Sequence, residues 1–277
     1  SNPLEDGSLD GYRSYPVPMS QITRDAVAEH GVKPRDAERS KNFFALGLIS
    51  WMYTRPIEPT MEFISTKFRG KELVIKANEA AFYAGYNFGE TAELFESHYE
   101  IKPAELPSGE YTNINGNTAI SWGCIAAGQL AQLPIFLGSY PITPASDILH
   151  DLSALKHFGA RTFQAEDEIA AAASAIGAAF GGALAFTTTS GPGIALKGEG
   201  LGLAVSLELP LVIIDIQRGG PSTGLPTKPE QADLMMAMYG RHSESPMPIV
   251  APRSPADCFN ATIEACRIAL RYRTPVM

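Results

Sequence analysis

Acids, hydroxyls, an arginine and glycines gather at four short punctuations within residues 134–220. Glu166-Asp167-Glu168 stands directly ahead of a small-residue run at 170–179. An acid in the first turn of a helix has an ordinary role, because carboxylates favour the positive end of the helix dipole. It also has a chemical one. Buried against a partner, an acid with a raised pKa can hydrogen-bond a heterocyclic nitrogen. The residues alone leave both readings open. Ser190-Gly191-Pro192-Gly193 offers free N–H groups and glycines that let a ligand approach backbone. It lacks the Lys-Ser/Thr and glycine spacing of a phosphate loop, so a tight strand-to-helix turn is its first role and ligand contact its second. Arg218 follows a run of branched apolar residues and adjoins Gly219-Gly220, which favours a bidentate carboxylate clamp over a plain surface cation. Thr143, in Tyr140-Pro141-Ile142-Thr143-Pro144, is a hydroxyl on a rigid segment that can orient a carbonyl or carboxylate, or simply be structural. Residues 219–224 read as a substrate-lining loop.

Each punctuation follows an apolar strand-like run: 134–138, 161–164, 183–186 and 211–214. Helical segments separate the runs, so the fold class is α/β, a parallel sheet flanked by helices. In such sheets functional groups sit past the carboxyl ends of the strands, so the four punctuations converge on one crevice. Asn117 is expected to cap the helix ahead of the first strand, running through residue 131. The closing Thr274-Pro275-Val276-Met277 reads as a further strand cut short.

The first hundred residues differ. Helices are expected at 20–29 with Ser20 as cap and Gly31 as stop, from Pro34 through 52, at 60–68 and at 72–86. Residues 90–115 carry turn chemistry instead of periodicity. The expected organisation is a mainly helical domain over 1–95, a linker over 96–115 and the α/β domain over 116–277.

A net charge of −8 argues against nucleic acid or an anionic membrane as partner. No apolar run reaches membrane-spanning length, and residues 1–7 do not resemble a signal peptide. Cys124, Cys258 and Cys266 lack metal spacing and read as small buried side chains in a reducing cytoplasm. No metal ligands are expected here, and three thiols cannot hold an iron–sulfur cluster. His150 and His157 are expected on one helix face, as exposed polar positions. Zinc-hydrolase and serine-hydrolase motifs are absent from the sequence.

Four strings, in order, resemble the alpha subunit of 2-oxoacid:ferredoxin oxidoreductases of the 2-oxoglutarate type, in the form that fuses the gamma domain ahead of alpha. They are Tyr140-Pro141-Ile142-Thr143-Pro144-Ala145-Ser146, Gln164-Ala165-Glu166-Asp167-Glu168-Ile169-Ala170, Thr189-Ser190-Gly191-Pro192-Gly193, and Gln217-Arg218-Gly219-Gly220-Pro221-Ser222-Thr223-Gly224-Leu225-Pro226-Thr227. They lie within residues 113–277, which resemble the pyrimidine-binding fold of a thiamine-diphosphate enzyme. Asn42-Phe43-Phe44-Ala45-Leu46-Gly47 and Ala84-Gly85-Tyr86-Asn87-Phe88-Gly89-Glu90 resemble the C-terminal part of the gamma domain.

The resemblance implies oxidative decarboxylation of a 2-oxoacid, 2-oxoglutarate first among candidates, to an acyl-CoA, with electrons passed singly to ferredoxin. It implies that Glu168 contacts N1′ of the thiamine aminopyrimidine and so promotes loss of the thiazolium C2 proton. It assigns the oxoacid's carbonyl and carboxylate to Thr143 and Arg218, and cofactor contacts to Tyr140, Pro141, Ser190 and Gly191. The diphosphate site, its Mg2+ and a [4Fe-4S] cluster are expected in a separate beta subunit, and a homodimeric interface in this chain. The glycine-rich start of the gamma domain and the domain after the first α/β unit have no counterpart, so the 277 residues are expected to be either a portion of the native polypeptide or the ordered part of it. Two other readings stand beside this one. An acetolactate-synthase-like decarboxylase or synthase shares the glutamate-then-SGPG order, though the Tyr-Pro-Ile-Thr-Pro string counts against it. A non-catalytic α/β partner-binding subunit would not need an acid at 168.

Overall fold

The aromatic N-terminal stretch folds into helices packed through their apolar faces. In the computed structural model, which describes residues 2–33, 37–92 and 98–277, the chain divides into two units, Ser1–Gly109 and Glu110–Met277. The first holds α1 (Met19–Ala28), α2 (Lys41–Met52), α3 (Glu58–Lys67) and α4 (Glu72–Thr91). A Cβ at Gly47 would run into the Phe82 carbonyl, and one at Gly85 into that of Phe44, so α2 and α4 touch backbone to backbone. Phe44, Ile64 and Phe82 are fully buried, and Ser40 donates to Asn78 Oδ1 at 2.8 Å within the buried interior. Ser20 lies inside α1, not at its cap, and its hydroxyl reaches Glu38 Oε2 instead (3.3 Å). Gly31 follows α1 with φ +72°, as a helix stop should. Helix α4 continues past residue 86 to Thr91. The expected helix start at Pro34 and the expected boundary at 95/96 lie outside the described residues.

Residues 98–115 carry no helix or strand. Helix α5 (Gly116–Ala131) then opens on Asn115, whose Oδ1 accepts from the Thr118 N–H at 2.9 Å. Asn117, the expected cap, sits one step into the helix and donates to the Pro144 carbonyl at 3.0 Å. Strands β1 (Ile135–Ser139), β2 (Ala160–Gln164), β3 (Leu184–Thr189) and β4 (Leu211–Asp215) form a parallel sheet in the order β2-β1-β3-β4. Leu137 pairs with Thr162 on one side and Phe186 on the other, and Phe186 pairs with Val212. Val276 adds a parallel bridge to Val212, so the closing residues lie along the β4 edge.

Helices α6 (Ser146–Ala154), α7 (Glu168–Phe180), α8 (Gly191–Ser206), α9 (Leu234–Tyr239) and α10 (Pro255–Tyr272) complete the unit. Alternation along the strands serves two faces. Leu184, Phe186, Val212 and Ile214 join the core with α5, α6 and α10, while Ala185, Leu211 and Ile213 join the core with α7 and α8. Burial on both faces explains the apolar runs of β1, β4 and the start of β3, whereas β2 at the sheet edge is largely exposed and carries Arg161, Thr162 and Gln164 in place of an apolar run. Helix α6 stops at Ala154 and His157 lies in a separate 3₁₀ turn closed by Gly159 (φ +86°), so His150 and His157 do not share a helix face.

Candidate active site

Between β1 and β3 the chain's connections leave in opposite directions, toward β2 on one side and β4 on the other. A crevice opens at such a switch point, beyond the carboxyl ends of the strands. The Tyr140 hydroxyl just past β1 and Thr189 Oγ1 at the end of β3 hydrogen-bond across it at 2.9 Å. Ser139 and Thr188 make a second, buried hydroxyl bond one residue deeper. Tyr140 is almost fully buried. Burial pushes its phenol well above the ordinary range, Thr189 opposes that, and the charge of Glu168, within hydrogen-bonding reach, adds to it.

Glu168 occupies the first position of α7 because Asp167 caps the helix, accepting from the Ala170 N–H at 2.8 Å. Of the three adjacent acids, Glu166 is exposed and outside the helix, Asp167 is used by the cap, and Glu168 is partly buried beside Tyr140. Geometry separates what the sequence left open. The Ser190 turn supplies the other wall. Ser190 stands at the N-cap of α8 with extended backbone and a fully buried hydroxyl that has no hydrogen-bond partner among the described residues. A Cβ on Gly193 would lie under 3.0 Å from Thr189 Oγ1, the Tyr140 hydroxyl and Glu168 Cγ. The glycine therefore lets these three side chains meet.

Arg218, past β4, is buried and reaches across the mouth. Its guanidinium donates to the Thr143 carbonyl at 2.6 Å and the Thr223 carbonyl at 2.8 Å, while Nε is buried without a partner among the described residues. It thus ties the segment after β1 to the loop after β4. Thr143 meets Arg218 through its backbone carbonyl, and its residue as a whole is exposed at the rim with Pro141.

Three features were not singled out from sequence. Lys197 is 1% exposed and donates to Thr187 Oγ1 at 2.6 Å and the Thr188 carbonyl at 3.1 Å. Burial lowers it to about 7, with Glu168 pulling the other way. Its readable signal was position: 194, 197, 201 and 204 form the buried stripe of α8, and 197 is its one charged member. Asp215 at the end of β4 and Asp233 before α9 are raised, first by burial, and face each other. Eighteen residues separate them in sequence, so no spacing rule pairs them. The third is exposed apolar surface: Ile169 and Phe180 of α7, Leu196 and Leu203 of α8 and Leu207 just past it are exposed, Phe180 at 74%. Among the described residues no group of three or more His, Cys, Asp or Glu could hold a metal, and no helix is long and apolar enough to cross a membrane. All three cysteines are buried and unpaired.

An acid, a phenol and a threonine hydroxyl brought together over Gly193 can present hydrogen-bonding groups to the polar edge of a flat heterocycle. Comparison with known proteins bears on that geometry. Residues 127–277 match the family described as pyruvate flavodoxin/ferredoxin oxidoreductase, thiamine diphosphate-binding. The 2-oxoglutarate oxidoreductase subunit KorA of Mycobacterium tuberculosis is 59% identical over all 277 residues, which cover 42% of that protein. The 2-oxoglutarate synthase subunit KorA of Archaeoglobus fulgidus is 47% identical over 165 residues, 59% of this chain and 46% of that one. Among solved structures, the 2-oxoglutarate:ferredoxin oxidoreductase from Magnetococcus marinus, with 2-oxoglutarate, coenzyme A and succinyl-CoA bound, has a TM-score of 0.74 and 37% identity. That match covers 95% of this chain and 43% of the other. The chain spans less than half the length of these relatives. Its sheet, its switch-point site and the match over residues 127–277 make it a member of the pyruvate flavodoxin/ferredoxin oxidoreductase thiamine diphosphate-binding family.

Proposed function

We propose that this chain is the aminopyrimidine-binding part of the alpha subunit of a thiamine-diphosphate-dependent 2-oxoacid:ferredoxin oxidoreductase, acting on 2-oxoglutarate. The observation that carries the reading is Glu168, partly buried on the first turn of α7 and held against Tyr140 at the switch point. The names of the relatives and of the Magnetococcus marinus structure support the substrate.

The residues fit the cofactor on one count: the Ser190 hydroxyl and Arg218 Nε are buried polar atoms without hydrogen-bond partners among the described residues. When bound, thiamine diphosphate supplies the carbon nucleophile and the electron sink for decarboxylation. The side chains do the rest. Glu168 holds a proton between its carboxyl group and the ring nitrogen N1′, and Tyr140 fixes that carboxyl's orientation. Pro141, Ser190 and Gly191 line the aminopyrimidine, with Gly191 at the positive end of α8. Arg218 and Thr143 hold the oxoacid at the rim. In the net reaction the C1–C2 bond of the oxoacid breaks, CO2 leaves, a thioester forms with CoA, and two electrons pass singly to two ferredoxins.

The diphosphate, its Mg2+ and a [4Fe-4S] cluster belong to a beta subunit in this reading, and residues 1–95 are the C-terminal part of a gamma-like domain joined by a linker over 96–115. The exposed apolar face of α7 and α8 suits a protein interface, with a second copy or with beta. Three buried free thiols suit a reducing cytoplasm. Copurification of the native protein tests the assignment. Thiamine diphosphate, iron and a second chain should accompany it, and their joint absence from an active preparation would overturn it.

A further inference from the structure

A buried lysine is an expensive core residue, because its charge leaves water and its neighbours must compensate. Lys197 has little direct compensation. No ion pair between described residues involves it. Its ammonium has three protons; Thr187 Oγ1 and the Thr188 carbonyl take two. Above it lies the ring of Tyr140, with Nζ 5.3 Å from the centroid, a cation–π distance. Tyr140 in turn bonds Thr189 and reaches Glu168. The groups form a column of lysine, phenol and glutamate, with Thr187, Thr188 and Thr189 of β3 as its back wall. Methionine has similar volume and would fill the stripe of α8 without a charge to bury.

We propose that Lys197 is a positioning residue for Glu168: its charge acts through and alongside Tyr140 to orient the glutamate's carboxyl group at the proposed cofactor contact. The inference rests on the reading of Glu168 as the aminopyrimidine contact. Of the groups on elements packed against α8, Tyr140 after β1 lies over the ammonium and the charge of Glu168 of α7 acts on it. Asp215 of β4 and Asp233 before α9 act on each other, and Glu230 repels Asp233. Burial lowers Lys197 to about 7, and Glu168 is the one charge that opposes it. The charge of Lys197 thus depends on burial first and on Glu168 second.

The test uses the full native polypeptide with its partner subunit and [ε-13C]lysine. The Lys197 signal is assigned by its absence from Lys197→Met and Lys197→Arg. In the unsubstituted protein it should titrate near 7 and, in Glu168→Gln, at a pH lower by roughly one unit, the scale of losing one nearby opposite charge. An unchanged midpoint in Glu168→Gln, or a midpoint in the ordinary lysine range, would overturn the inference. A second readout is the pH profile of H/D exchange at C2 of bound thiamine diphosphate. It should carry an inflection near 7 that Lys197→Met lacks, and persistence of that inflection in Lys197→Met would equally overturn the inference. The NMR coupling does not depend on the cofactor. If exchange is indifferent to Glu168→Gln, the cofactor reading fails while the Lys197–Glu168 coupling is still decided by the titration.

Discussion

Substituting Gly193 by alanine drives a methyl group into the centre of the site. The new Cβ would lie under 3.0 Å from both partners of the Tyr140–Thr189 hydrogen bond and 2.9 Å from Glu168 Cγ. Thr189 belongs to a fully buried strand, and Tyr140 is packed over Lys197, so neither withdraws freely. Overpacking of this kind costs about 1–3 kcal/mol. A buried hydrogen bond left unmade costs about 1–3 kcal/mol more. Against this, alanine gains about 0.5–1 kcal/mol over glycine within a helix. The net expectation is a loss of roughly 1–5 kcal/mol by those same scales. Gly198→Ala is the matched control, since it lies in the same helix with nothing within 4 Å of its Cβ. It should stabilise by about 0.5–1 kcal/mol. Urea denaturation of the two variants should thus move in opposite directions. Thiamine diphosphate binding should weaken only in Gly193→Ala, because only there is Glu168 displaced. Equal midpoints and equal cofactor affinity for the two variants would refute the packing argument.

Arg218→Lys keeps the charge but cannot bond the Thr143 and Thr223 carbonyls with one rigid fork, so the two rim segments should loosen. Losing one charge-assisted bond, about 1.5–3 kcal/mol, should weaken oxoacid binding about 10- to 100-fold in an isothermal titration, and unaltered affinity would reject the clamp. The carboxyl pair sets a pH dependence. Asp215 is raised to about 8 by burial and by Asp233, so between about 4 and 8 the folded state binds more protons than the unfolded one and stability falls as pH rises. Lys197, lowered to about 7, acts in the opposite sense: from about 7 to 10.5 the unfolded state binds more protons, so its contribution rises with pH. Asp215→Asn should flatten the falling limb, whose slope is at most about 1.4 kcal/mol per pH unit for one proton, and denaturation at pH 5 and 7 will show whether it does. By itself the chain should self-associate through the α7–α8 face and reduce no ferredoxin. A monodisperse monomer active with 2-oxoglutarate, thiamine diphosphate and CoA would contradict that expectation.

Most of the sheet was legible in the sequence because β1, β3 and β4 are buried on both faces, which makes β1, β4 and the start of β3 apolar runs between punctuations, whereas the edge strand β2 is largely exposed and carries Arg161, Thr162 and Gln164. Local rules placed the start of α4 at its observed first residue, Glu72, and those of α1, α3 and α5 within about two residues. Asn115 and Asn117 have the same capping chemistry, and the choice between them is made by the contact of Asn117 with Pro144, 27 residues away. The end of α6 was missed because Lys156-His157-Phe158 keeps helical composition while Gly159 turns the chain left-handed. Within the site, the candidate strings were legible but their internal roles were not. That Asp167 caps and Glu168 faces inward depends on where α7 begins. That Arg218 meets the carbonyl of Thr143 depends on a contact across 75 residues. Lys197 escaped notice because a lysine counts as polar in any periodicity argument, and only burial reveals that it completes the apolar stripe.

The central claim is that Glu168 governs proton transfer at the cofactor, and C2 hydrogen–deuterium exchange measures that step directly. In the assembled enzyme, Glu168→Gln should retain bound thiamine diphosphate and slow the exchange about 10²- to 10⁴-fold, the range for a lost proton-transfer group. Exchange at the unsubstituted rate, with the cofactor bound, would contradict the account.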